Sequence, residues 1–160
     1  MHPSVRPARE SDVPAIVTLI KDLATYEREP DAVKVTSAQL DAVLFGEPPA
    51  AYALVAEVDG KVGGFALYFL NFSTWEGVSG IYLEDLYVRP EHRGAGLGQS
   101  LLTSLAEIAV SRGYARVEWS VLDWNQPAID FYRRMGAVAM DGWTVFRLTG
   151  DPLIRAAGAG

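Results

Sequence analysis

The stretch Arg93-Gly94-Ala95-Gly96-Leu97-Gly98 constrains this chain more than any other. It follows an apolar run with two embedded acids, Ile81-Tyr82-Leu83-Glu84-Asp85-Leu86-Tyr87-Val88, and opens a helix-patterned segment from Ser100 to Arg112. A strand, a glycine-rich turn with one arginine, and a helix N-terminus together make an anion site. The glycines let backbone N–H groups approach a phosphate closely, and the helix end adds partial positive charge. The turn therefore predicts a phosphate-bearing ligand such as a nucleotide or coenzyme.

Spacing narrows the ligand. A P-loop needs Gly-x-x-x-x-Gly-Lys-Ser/Thr, and no lysine follows Lys61. A dinucleotide fingerprint needs Gly-x-Gly-x-x-Gly. Counting from Gly94 puts Gln99 where the third glycine belongs, and counting from Gly96 puts Leu101 there. What remains is Arg/Gln-x-x-Gly-x-Gly, met by Arg93, Gly96 and Gly98. This resembles the pyrophosphate loop of the GNAT superfamily of acyl-CoA-dependent N-acetyltransferases. The competing reading is a glycine-rich turn that merely caps a helix.

At 160 residues the chain fits one domain, 1–160, with a frayed Ala/Gly-rich tail expected over 152–160. No apolar run reaches the ~20 residues of a membrane span, so no membrane partner is expected. The N-terminus lacks an apolar signal region. Cysteine is absent, which excludes disulfides, thiolate metal sites and a cysteine acyl-enzyme and fits a cytoplasmic setting. His2 and His92 have no ligand spacing, so no metal is expected. A net charge of −6 argues against nucleic acid and favours cationic ligands.

The pattern predicts alternating elements. Ser11 reads as an N-cap for a helix bearing Val13, Ile16, Val17, Ile20, Leu23 and Ala24 at helical spacing. Ser37–Phe45 reads as a second helix ending at Gly46. Tyr52–Val58 and Val62–Phe72 read as strands joined by Asp59-Gly60, a strong hairpin signal. Gly80–Val88 is a strand stopped by Pro90, and the helix from Ser100 stops at Gly113. Ala115–Leu122 is a strand, Gln126–Met135 a helix with Pro127 at its start, and Trp143–Leu148 a last strand. The fold class is α/β, a mixed sheet in the order β-α-α-β-β-β-α-β-α-β. That order matches the GNAT fold, which places the glycine loop between its fourth strand and third helix.

The chain is similar to the spermidine/spermine (diamine) acetyltransferase branch and its thialysine acetyltransferases, from about Val5 to about Leu148. The likeness is carried by Leu19–Glu27, Ser73-Thr74-Trp75-Glu76-Gly77, Ile81–Val88, Arg93–Gly98, Val121-Leu122-Asp123-Trp124-Asn125-Gln126 and Phe131-Tyr132. Leu-Asp-Trp-Asn-Gln leans toward the thialysine type, whereas Pro127 is more like the polyamine type.

Acetylating a primary amine sets definite demands. With a pKa of ~10.4, only about one such amine in a few thousand is nucleophilic at pH 7. An enzyme must take a proton, position the amine, stabilise an oxyanion and protonate the departing thiolate. Glu84 and Asp85 are costly to bury without partners, so a polar cavity is expected beside them. Their alternative is a pair of structural acids at a bulge, and a bulge would reverse which carboxylate faces the substrate.

The resemblance implies Tyr132 as general acid, Glu84 as base through water and Asp85 as amine anchor. It raises Tyr26 and Glu27 to amine-site residues, beside an acidic cluster that continues in Glu29 and Asp31, and Trp75 as a wall of that site. It pairs backbone groups of Leu86, Tyr87 and Val88 with the pantetheine arm. Arg93, Gly94, Ala95, Gly96, Leu97 and Gly98 hold the pyrophosphate, Asn125 bonds the pantetheine amides, and Arg133 or Arg134 reaches the 3′-phosphate. Core packing for Tyr132, a solvated helix end for the acids, a loop anchor for Trp75 and exposed charges for the arginines are the competing readings.

The expectation is direct transfer from acetyl-CoA to a polyamine, a diamine, or a lysine- or thialysine-like amino acid, in a ternary complex. Protein lysines, N-termini and xenobiotic amines are alternative acceptors, and an acyl-CoA-binding module without turnover is the alternative class. The resemblance also implies a homodimer.

Overall fold

The computed structural model describes residues 1–158. Two compact units make up the chain, Met1–Ser120 and the residues from Val121 onward.

The first unit is built on five strands in spatial order β1-β2-β3-β4-β5. These are β1 (Val5–Pro7), β2 (Tyr52–Val58), β3 (Lys61–Ser73), β4 (Val78–Val88) and β5 (Val117–Trp119). The first three ladders are antiparallel, and β4 pairs β5 in parallel. Helices α1 (Val13–Tyr26), α2 (Ser37–Phe45) and α3 (Leu97–Arg112) complete the unit. The Asp59-Gly60 turn has positive φ at both residues, 51° and 74°, the geometry that suits the twist of a two-residue hairpin.

Alternation divides the core. Val55, Phe65, Leu67 and Tyr87 pack with Ile16, Leu19 and Leu23 of α1 and Leu40 and Leu44 of α2. Leu54, Ala66, Ile81 and Leu83 are buried on the opposite face, where α3 packs through Leu97, Leu101, Leu102, Leu105 and Ala109.

The entry to α1 differs from expectation. A 3₁₀ turn over Glu10–Asp12 leads into the helix, and the anchor is Asp12 rather than Ser11. Asp12 accepts the Arg9 N–H at 2.7 Å and two Arg6 donors at 2.7 and 3.1 Å. Arg6 also grips Glu57 of β2 at 2.6 Å. The Arg6 hydrogen bonds hold the Asp12 carboxyl below its usual pKa, against the opposing effect of burial. A local cap motif lost to a tie spanning β1, β2 and α1.

The ladder between β4 and β5 covers only Ile81–Leu83 opposite Val117–Trp119. The strand expected over Ala115–Leu122 is therefore short, because it has ladder partners for those residues alone.

The second unit holds α4 (Gln126–Arg134) and α5 (Gly150–Ala156). Asn125 caps α4 by accepting the Ala128 N–H, and Pro127 sits in the first turn. No ladder forms over Trp143–Leu148, where the sequence pattern predicts a strand. This unit contains no other strand among its described residues, and a lone strand has nothing to satisfy its backbone groups. Trp143, Val145, Phe146 and Leu148 are exposed. The tail read as frayed is helical through Ala156, and its last two residues lie outside the described part.

Candidate active site

The glycine loop begins where β4 ends. Pro90 stops the strand, a 3₁₀ turn runs over Pro90–His92, and α3 starts at Leu97. Gly94 and Gly96 have φ of 86° and 77°, a conformation costly to side chains other than glycine. Gly98 needs a different account. It lies inside the first turn of α3, and an added Cβ would meet only Val88 Cγ2 at 3.9 Å, an ordinary contact. Glycine there costs about 1 kcal/mol of helix propensity with no packing reason in the fold. Close approach of a ligand to the helix N-terminus supplies one. The first N–H groups of α3 have no intrahelical acceptors and suit a pyrophosphate.

Arg93 is turned toward the opposite side of the loop. Its Nε donates to the Val88 carbonyl at 3.0 Å, and its guanidinium lies 5.2 Å from the Tyr26 ring and 5.3 Å from the Tyr87 ring. The side chain thereby clasps the loop to α1 and β4.

The β4 edge is open beyond the short β5 ladder. Arg89 donates its N–H to Gly63 of β3, so the Leu86 and Val88 backbone groups point away from β3. The β5 ladder stops at Leu83, so those groups have no strand partner among the described residues. The Val88 carbonyl is already taken by Arg93, whereas the Leu86 groups and the Val88 N–H lie on the open edge. Tyr87 faces the α1 core instead, and burial raises its pKa.

A bulge places the acids. Tyr68 pairs Leu83 and Leu67 pairs Asp85, so Glu84 is an extra residue in β4. Simple alternation from Leu83 would send Asp85 toward α3. The bulge turns it to the face of Leu67 and Tyr87, toward α1. Asp85 is half-buried, and its pKa is pushed up to about 6, first by burial and then by the Glu84 and Glu27 charges. Burial also raises Glu27. Glu84 is exposed.

Glu27 is held by a particular helix end. Glu29 donates to the Ala24 carbonyl and Arg28 to that of Thr25, a Schellman closure with Arg28 left-handed at φ 66°. Tyr26 stacks under the Arg93 guanidinium, and Glu27 stands close enough to Asp85 for its charge to act on that carboxyl. Glu29 and Asp31 are exposed.

Trp75 stands elsewhere. It is 85% exposed at the tip of the β3–β4 hairpin, about 20 Å along the strand from Asp85. In the second unit, Tyr132 lies half-buried on α4 with its ring 5.5 Å from that of Phe131. Asn125 is buried at the α4 N-cap, and Arg133 and Arg134 are exposed. Sequence reasoning missed Arg89 and Asp22, which line a cleft of about 430 Å³ with Tyr26, Tyr87 and Arg93. The available signal was period two, since Asp85, Tyr87 and Arg89 recur at that spacing.

The acetyltransferase (GNAT) family matches residues 14–137. The chain belongs to the GNAT acetyltransferase family. It is an N-acetyltransferase, and the family uses acetyl-CoA as co-substrate. Thialysine N-epsilon-acetyltransferase of Bos taurus is 40% identical, with 96% of each chain covered. Spermidine/spermine N(1)-acetyltransferase-like protein 1 of Homo sapiens is 36% identical over 94% of this chain and 23% of that longer protein. Among solved structures, an integron cassette protein from the mobile metagenome of V. cholerae superposes with a TM-score of 0.80 at 26% identity, covering 96% of both chains. Among the described residues, no cluster of His, Asp or Glu could hold a metal, and no helix is long and apolar enough to cross a membrane.

Proposed function

We propose that this GNAT enzyme moves the acetyl group of acetyl-CoA to a primary amine of a small cationic acceptor, with Asp85 as the base. The observation that carries the reading is the Asp85 carboxylate, half-buried at a pKa of about 6 beside Glu27 and Glu84. The family resemblance assigns the base to Glu84, acting through water. Its exposure favours a supporting role, and Asp85 has the burial and the raised pKa that suit proton abstraction near neutrality.

Acetyl-CoA supplies a thioester acetyl group and a thiolate leaving group. The chain's residues supply the rest. Glu27 and the ionised Asp85 hold the acceptor's ammonium, and Asp85 takes its proton to free the nitrogen lone pair. The outward Leu86 N–H stabilises charge on the acetyl oxygen as the carbon–nitrogen bond forms. The Tyr132 hydroxyl gives its proton to sulfur as the carbon–sulfur bond breaks. The fit of Gly98 supports seating the pyrophosphate at the α3 N-terminus, with Asn125 and Arg133 as contacts to the rest of the coenzyme.

The relatives' names support two acceptor types, a thialysine-like amino acid and a polyamine. The exposed aromatic segment of the second unit supports a homodimer, and the cysteine-free composition a cytoplasmic setting. The test is CoA release from acetyl-CoA with spermidine, putrescine, lysine, thialysine, a lysine-bearing peptide and an aminoglycoside. Strong turnover with a small amine is the expected result. Turnover confined to the peptide or the aminoglycoside would overturn it.

A further inference from the structure

The β4–β5 ladder ends on the rung Leu83–Trp119, and β5 ends with it. One residue further on, Ser120 is tied back across the ladder, its Oγ 2.8 Å from the Tyr82 hydroxyl. Ile81 and Leu83 are buried toward α3, so Tyr82 faces α1. Phe69, directly opposite in β3 and packed against the α1 core, braces the phenol with ring centroids 5.2 Å apart. The Tyr82 side chain is thus a strap laid from β4 to the first residue beyond β5.

The bulge brings this strap beside the proposed base. Tyr82 pairs Phe69 and Asp85 pairs Leu67, two residues apart on β3, so Tyr82 and Asp85 share a face at about 7 Å along the strand. An unbulged strand would put them on opposite faces. With the Leu86 N–H at the thioester and the α3 N-terminus at the pyrophosphate, as read above, β4 leads from the coenzyme's phosphates down to the strap. The acyl end therefore faces a slot that is closed on three sides. The last rung is its foot, Leu83 and Trp119 bound it toward α3, and Tyr82 with Ser120 bounds it toward α1. A hydroxyl pair that satisfies itself carries no charge for an ammonium or a phosphate, and what it offers an uncharged acyl chain is a wall.

We propose that the Tyr82–Ser120 strap sets the size of the acyl group this enzyme transfers, closing the slot just beyond an acetyl methyl. This rests on the acetyl-CoA-dependent reading above and concerns the donor, not the acceptor.

The experiment gives acetyl-, propionyl-, butyryl- and hexanoyl-CoA to the intact enzyme with the best amine of the panel above. Calorimetry with the same four esters and no amine supplies a binding readout. In the intact enzyme, kcat/KM should fall about tenfold or more from acetyl to butyryl, with a parallel loss of affinity. Tyr82→Ala should raise the butyryl-to-acetyl ratio about tenfold or more in both readouts. Tyr82→Phe and Ser120→Ala lose only the tie, and each should raise it about threefold or more. These two milder variants decide the matter if Tyr82→Ala does not fold. An intact enzyme that takes butyryl-CoA as readily as acetyl-CoA would overturn the proposal. So would a ratio that none of the variants moves, even with turnover reduced, since that is the signature of a merely structural hydrogen bond. Either of those results, with acetyl transfer intact, defeats this inference alone. No transfer from any of the esters to any amine defeats the underlying reading as well.

Discussion

As the proposed base, Asp85 must be ionised, and burial together with Glu84 and Glu27 makes ionisation costly. The kcat/KM for the acceptor should therefore rise with pH through about 6 and then level off as Asp85 loses its proton. Asp85→Asn should lower kcat/KM by about a hundredfold or more and abolish that acid limb, as pH–rate profiles of both proteins would show. Stability should move the other way. The folded pKa lies above the unfolded one, so the Asp85 contribution is fully present below about pH 4 and declines as pH rises toward 6. Asp85→Asn should accordingly stabilise the protein at pH 7 by about 1 to 2 kcal/mol in urea unfolding. The residue types at this site were legible as two acids in an apolar run, but their division of labour was not. The bulge that orients them depends on pairing with Leu67 and Tyr68, and a strand with a bulge reads like one without.

The elements divide along the same line. The second helix and the Asp59-Gly60 hairpin follow from nearby residues, and the pattern located both. The Asp12 anchor draws on Arg6 and Glu57, one of them far away in sequence, so only local cap chemistry at Ser11 was visible. Arg6→Met should cost about 3 kcal/mol in thermal or chemical unfolding, because it strands the buried Asp12 charge. The Asp12 share of that tie is present above about pH 4 and is lost as pH falls below it, so the cost should shrink in acid. Helix α3 carries the opposite trade. Gly98→Ala should add up to about 1 kcal/mol of stability, yet weaken acetyl-CoA binding about tenfold or more by calorimetry, because the methyl group stands where the pyrophosphate approaches. A variant that loses stability as well would show that the fold, and not the ligand, demands this glycine.

At the scale of the whole molecule, the segment that the pattern assigned to a last strand presents Trp143, Val145 and Phe146 to solvent, Phe146 at 93% exposure. Its β-forming composition was legible, but a strand also needs an edge to pair with, and composition does not say which chain provides one. Sedimentation velocity should give the mass of two chains for the intact protein. Val145→Asp combined with Phe146→Asp should give the mass of one, since a charge pair in a buried apolar contact is strongly disfavoured.

The extra residue in β4 has a further consequence. It splices two strands of opposite phase end to end. The part before Glu84 keeps time with the α3 core, and the part after it keeps time with the cleft at α1. Neither sets the rhythm of the other, so the chemistry carried by Asp85, Tyr87 and Arg89 can be exchanged for another set without repacking Ile81 or Leu83. The joint lies one residue from Asp85, the carboxylate proposed to take the proton.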